Sequence, residues 1–173
     1  LNTSLNIRGE PMVNTREEAK NLLTLQKFPP LGNRSFGVNR AHGYGFDFES
    51  YITNWNESGI FMIQVESIEG VNNIESLLKL EHIDAVMIGP YDISGSLGLP
   101  GKTNHPKVRE ASRYVVEACA NAGVSCMTQI SDVTPVAIDD AFKQGYTAIV
   151  LGSDLFVLWK WAADMKSLIS SMR

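Results

Sequence analysis

The stretch IFMIQVE, Ile60–Glu66, followed about two dozen residues later by AVMIGPYDIS, Ala85–Ser94, decides how this chain is read. Each begins as a short apolar run of strand length and ends in a carboxylate. Runs of this kind read as parallel strands covered on both faces. In a parallel sheet with helical connections, the C-terminal ends of the strands form the active edge. Glu66 and Asp92 both emerge there. Adjacent strands lie about 4.8 Å apart, so two such acids can share one divalent ion through oxygen ligands.

Working outward, strand and helix patterns alternate. Leu5–Val13 is a weak strand interrupted by Arg8, Gly9 and Glu10. Thr15 with Glu18 three residues on forms a capping-box pattern, predicting a helix to about Gln26. The segment FPPLGNRSFGVNRAHGYGFDF is rich in Gly and Pro and too long for an ordinary connection, which marks it as functional or interfacial. Helices are predicted around Phe48–Asn56, over Glu69–Leu80, from about Asp92, over Pro106–Asn121 with Gly123 as its stop, over Asp132–Lys143 and over Asp154–Met172. Strands are predicted at Ile60–Glu66, Ala85–Ile88, Val124–Thr128 and Thr147–Leu151. The alternation means α/β with parallel strands. With four good strands and one poor one, the chain has too few residues for a closed eight-stranded barrel, which takes about 250. Residues 1–173 read as a single, partial domain.

The 173 residues carry a formal charge of −4 with scattered basic residues, which gives no footprint for nucleic acid. No apolar run approaches the ~20 residues of a membrane span, and no signal-peptide pattern opens the chain. Cys119 and Cys126 read as buried reduced thiols, in keeping with a cytoplasmic setting. The first residue is Leu1 and not Met, which leads to the expectation that a segment lies upstream.

Gln64 and Glu66 are two apart on a strand and share one face, while Ile63 and Val65 point to the other, towards helices. An inward Gln and Glu are costly unless paired or bound to metal. The plainer alternative makes Glu66 the first exposed residue after its strand. After Gly89 and the stiff Pro90, the backbone N–H groups of Tyr91, Asp92 and Ile93 are free at a helix start, a place that attracts carboxylate or phosphate. The plainer alternative for Asp92 is an N-cap, which leaves the partner acid on the preceding strand unexplained. His42, His82 and His105 form no common site and read as surface or structural. The absence of a Lys at an interior strand end speaks against Schiff-base chemistry.

The motifs PMVNTREEA, KFPPLGNRSFG with the NRA that follows, IQVES, IGPYDIS with SLGLPG, and NHPKV, in this order from Pro11 to about Asp154, resemble the metal-dependent pyruvate aldolases of the HpcH/HpaI family. That family includes 4-hydroxy-2-oxoheptanedioate and 2-dehydro-3-deoxyglucarate aldolases. The resemblance implies a TIM-type (β/α)₈ barrel, of which this chain covers about strands 4–8. It implies a divalent ion (Mg²⁺, Mn²⁺ or Co²⁺) on Glu66 and Asp92, with pyruvate chelating that ion. Gln64 would lie beside the bound oxo acid, and the turn Gly89, Pro90, Tyr91 and Asp92 would hold its carboxylate through the amides of Tyr91 and Asp92. The ion would act as a Lewis acid, stabilising the enolate formed as pyruvate parts from an aldehyde. The family's catalytic His, its Asp partner and an Arg belong to strands before the PMV segment. No general base is therefore expected within this chain, and little aldol chemistry from it alone. The alternatives are a citrate-lyase-like C–C lyase acting on acyl-CoA esters, which calls for a basic CoA-binding surface, and a non-catalytic remnant or subunit. Bare sheet edges and the family's habits imply a homo-oligomer, trimer or hexamer. They also lead to the expectations that Ile63 and Val86 are exposed on an open interior and that Trp159 and Trp161 are partly covered by a neighbour.

Overall fold

The computed structural model describes residues 13–172. The weak strand predicted at Leu5–Val13 lies outside them except for Val13, which is fully buried. Four strands, β1 (Met62–Val65), β2 (Ala85–Ile88), β3 (Ser125–Ile130) and β4 (Ala148–Leu151), form one sheet in sequence order. All three pairings are parallel. Among the described residues eight α-helices connect and flank the strands, α1 (Arg16–Gln26), α2 (Phe48–Ser58), α3 (Ile68–Asn72), α4 (Ile74–Leu77), α5 (Pro90–Ser96), α6 (Pro106–Ala122), α7 (Pro135–Lys143) and α8 (Asp154–Ser171), with a 3-10 helix at Arg40–Gly45. No helix among the described residues is long and apolar enough to cross a membrane.

Local chemistry explains most boundaries. The Thr15–Glu18 capping box closes in both directions at the start of α1. Gly123, at φ 69°, ends α6 in the left-handed conformation that favours glycine. The helix predicted over Glu69–Leu80 is instead two short ones broken at Asn73, where consecutive asparagines are weak helix formers. The helix predicted from Asp132 starts at Pro135. Thr134 caps it by accepting from the Ala137 N–H at 3.1 Å, and proline suits the first helical position. Strand β3 runs two residues beyond the predicted Thr128 because it keeps pairing with β4 as far as Ile130 and Leu151.

The sheet has one covered and one open face. Ile63, Val65, Val86, Ile88 and Cys126 lie on the covered face and belong to the core built with Val108, Val115 and Cys119 of α6 and with Ile74 and Leu77 of α4. The expectation that Ile63 and Val86 are exposed is therefore wrong: they are 1% and 0% accessible. Strand alternation puts them towards the helices. The open face carries the residues of opposite parity, Met62, Gln64, Met87, Met127 and Gln129, with Met62 38% accessible. Cys119 and Cys126 are buried free thiols.

The long loop after α1 is organised by aromatic packing. Phe28 stacks on Phe36 at 5.3 Å, and the Arg34 guanidinium lies 4.1 Å from the Trp55 ring centroid. The His42 ring is buried against Phe48. Its Nδ1 accepts the Gly45 N–H at 3.0 Å, and its Nε2 lies 3.0 Å from the Asn39 amide nitrogen and 2.6 Å from the Gly37 carbonyl oxygen. Lys27, expected in a helix or loop, is also buried. Its Nζ donates to the Asn56 carbonyl at 2.8 Å near the end of α2.

Substitution distinguishes the two faces of the sheet. Ile63→Ala is expected to cost about 2–5 kcal/mol, as for other buried Ile truncations. Met62→Ala, on the open face, should cost well under half as much. Chemical denaturation of the two variants measures the difference, and equal losses would contradict this placement of the faces.

Candidate metal and oxo-acid site

The register of β1 on β2 builds the site. Val65 stands opposite Ile88, so the residues that follow, Glu66 and Gly89, leave the sheet side by side. The Gly89 N–H continues the ladder, donating to the Val65 carbonyl at 3.1 Å. An ideal β-carbon on Gly89 would lie 2.8 Å from Glu66 Cγ and 3.2 Å from its Oε1. The Glu66 side chain therefore rests across the Gly89 backbone, in space that any other residue would occupy.

Immediately after Gly89 the chain turns into α5, which starts at Pro90 and not near Asp92 as the sequence suggested. Asp92 is thus the third residue of the helix. Gly89 is the N-cap and makes no side-chain cap, so Asp92 is not engaged as an N-cap. The Ile93 N–H, expected to be free, donates to the Gly89 carbonyl at 3.0 Å. The amides of Tyr91 and Asp92 have no acceptor among the described residues. Tyr91 and Asp92 are exposed, whereas Glu66, Gln64, Gly89 and Pro90 are half-buried.

The two carboxylates sense each other. The Glu66 carboxyl is held above its ordinary value, first because the protein removes it partly from water and second because the Asp92 charge is close. Like charges brought together this way are relieved by a cation. Two hard oxygen donors fit Mg²⁺, Mn²⁺ or Co²⁺, which bind through one or two carboxylates and complete their shells with water or substrate oxygens. No group of three or more His, Cys, Asp or Glu side chains that could hold a metal ion occurs among the described residues. The predicted residues Gln64, Glu66, Gly89, Pro90, Tyr91 and Asp92 thus gather at the same end of two adjacent strands. The histidines stand apart from them. His42 is locked in its loop, His82 precedes β2 at the opposite end, and His105 caps α6 by accepting from the Lys107 N–H at 3.3 Å.

A wider cleft of about 700 Å³ lies between α6 and α7, lined by Arg109, Ser112, Ala141 and Tyr146 and reaching Pro90 at one end. It runs along the helix side of β3 and is not where the two carboxylates meet.

The sequence profile of the HpcH/HpaI aldolase/citrate lyase family matches residues 7–160, and the chain belongs to that family. A 2-keto-3-deoxy-L-rhamnonate aldolase of Salmonella typhimurium is 40% identical over 111 residues, spanning 63% of this chain and 40% of that protein. The crystal structure of an HpcH/HpaI aldolase/citrate lyase family protein from Burkholderia cenocepacia aligns with TM-score 0.82 at 28% identity, covering 94% of this chain and 63% of that one. The HpcH/HpaI aldolase of Desulfitobacterium hafniense aligns with TM-score 0.79 at 27% identity, covering 92% and 62% respectively. The chain therefore spans less than two thirds of the length of these relatives.

Two outcomes follow from the Glu66 environment. Gly89→Ala should displace the Glu66 carboxylate and weaken Mn²⁺ binding about tenfold or more, the size of effect seen when support around a metal ligand is lost; titration calorimetry reads it. A folded-state pKa raised above the unfolded one means that stability linked to Glu66 is full below its ordinary value of 4.5 and is lost as pH rises through the raised value. In the metal-free protein, Glu66→Gln should therefore gain stability relative to the parent as pH rises from 4 to 7. Thermal melts across that range test the sign.

Proposed function

We propose that this chain forms the metal- and oxo-acid-binding part of a class II aldolase of TIM-type (β/α)₈ barrel architecture, contributing about strands 4–8. The reaction is the cleavage or formation of a 4-hydroxy-2-oxo acid, with pyruvate or a related 2-oxo acid and an aldehyde as partners. The convergence of Glu66 and Asp92 at the ends of adjacent parallel strands carries the reading. The 40% identity to a protein named as an aldolase favours aldol chemistry over the acyl-CoA alternative.

Glu66 and Asp92 hold the divalent ion. A bound Mg²⁺, Mn²⁺ or Co²⁺ supplies Lewis-acid polarisation of the oxo-acid carbonyl, stabilising the charge that develops on its oxygen as the C–C bond breaks. The unpaired amides of Tyr91 and Asp92 point the start of α5 at the substrate carboxylate, with Gly89 and Pro90 fixing the turn. Gln64, two residues before Glu66 on the same open face, lies beside the oxo acid and orients it. The proton carriers, a His with its Asp partner and an Arg at the substrate oxygen, belong to strands preceding the described residues. General acid–base groups supply about 10²–10⁴-fold, so residues 13–172 bind without performing the full reaction efficiently.

The protein acts as a homo-oligomer, a trimer or hexamer, in the cytoplasm. Helix α8 has no buried residue, and Trp159 and Trp161 stand 60% and 62% exposed, as surfaces awaiting a neighbouring copy.

Oxalate, which mimics the planar enolic form of pyruvate, tests the reading. It should bind only when Mn²⁺ is present, and neither ligand should bind after Glu66→Ala or Asp92→Ala. Oxalate binding that survives EDTA would overturn the assignment. Tyr91→Ala keeps the amide and should change oxalate affinity by less than tenfold, whereas Tyr91→Pro removes the donor and should weaken it much more.

A further inference from the structure

Glu66 and Asp92 sit on separate elements and repel one another, so something has to hold those elements at one spacing. The backbone shows a candidate. Ser67 caps α3 by accepting the Gly70 N–H at 3.0 Å and donates to Asn14 Oδ1. The first amides of a helix have no partner within it. That of Ile68, the first residue of α3, donates across to Ser96 Oγ on α5 at 3.0 Å. Ser96 is four residues after Asp92 and therefore on the same face of α5. Ile68 is two residues after Glu66. One hydrogen bond thus joins the two elements just behind the place where their carboxylates meet.

The far side of α5 is pinned as well. Ser94 is fully buried, donates to the Tyr91 carbonyl at 2.6 Å and accepts the Gly101 N–H at 3.0 Å. Those bonds fix α5 on the loop that follows it but do not tie it to β1. Among the described residues, the side-chain bond that ties the segment after Glu66 to α5 is the one between Ile68 and Ser96.

We infer that Ser96 is a positioning residue for the metal site: by accepting the Ile68 amide it sets the separation of Glu66 and Asp92. The inference rests on the reading of those two acids as metal ligands. Neither Ser96 nor Ile68 is one of the two proposed ligands, so their effect appears in the affinity of a site that remains assembled from the same ligands.

The experiment is a double-mutant cycle read by Mn²⁺ titration on the full chain. Ser96→Ala removes the acceptor. Ile68→Pro removes the donor at a helix position where proline is well tolerated, after a residue already extended at φ −132° and ψ 161°. Each variant should bind Mn²⁺ about tenfold or more weakly, with unchanged stoichiometry. The double variant should be little worse than either single one, because both remove the same bond. Ser96→Thr, which keeps the hydroxyl, should restore binding to within about threefold of the parent. A purely structural role would lower the thermal midpoint of the metal-free protein while leaving the Mn²⁺ affinity of the folded chain at the parent value, and that result overturns the inference. Additive losses in the double variant overturn it too, and if Ser96→Ala fails to fold, parent-like Mn²⁺ affinity in Ile68→Pro alone does so. If the parent itself takes up no Mn²⁺, the metal-site reading fails. Parent binding with unaffected Ser96→Ala binding refutes the Ser96 role alone.

Discussion

The pairing of Val65 with Ile88 is the constraint on which the site depends. Parallel strands place their C-terminal ends at one edge, and this register makes the first residues beyond β1 and β2 neighbours. From that single alignment follow the contact of Glu66 with Gly89, the immediate turn into α5 at Pro90 and the approach of Asp92. Shifting β1 by one residue would turn Glu66 towards the helices and Val65 towards the open face. The burial of Ile63 and Val65 against α4 and α6 therefore secures the site as well as the fold. Core packing and ligand geometry are two results of one alternation.

That alternation was readable in the sequence where strands are short and apolar. IFMIQVE and AVMI give their length, and the spacing of Gln64 and Glu66 gives the shared face. The start of α5 was misplaced by about two residues because Asp92 looks like a cap. Pro90 gives the physical reason for the true boundary, since proline is well suited to the first turn of a helix. The break at Asn73 is hidden in the sequence because Ile74, Leu77 and Leu78, which all follow it, keep helical spacing and nothing in that pattern marks a helix start. Ile63 and Val86 are covered because side chains alternate along each strand and the helix-facing side is the drier one, while the open face carries Met62, Gln64, Met87 and Met127.

The long loop shows what pattern reading misses. His42 looked like a surface or structural side chain, and structural is what it is, but its role as the centre of the loop rests on contacts with Phe48, Gly37 and Gly45 that no local rule specifies. The spacing of Asn39 and His42, three residues apart as in a capping box, was the available signal. Lys27 was less accessible still. Its burial makes sense only once the carbonyl of Asn56 is brought to it from 29 residues away. Tertiary partners of this kind carry no periodic trace.

The Gly89–Glu66 contact also constrains how such a protein can diversify. Most pockets change their preference by altering side chains around the reacting atoms, and the end of β2 would be the obvious place to add bulk. Here a β-carbon at that position collides with the Glu66 side chain, so bulk cannot be added there without displacing that acid. Variation has to enter from elsewhere on the open face. Met127 and Gln129 of β3 and Val150 of β4 share the parity of that face on strands beyond β1 and β2. One glycine thus divides the sheet into a half fixed by its contact with Glu66 and a half without that steric limit.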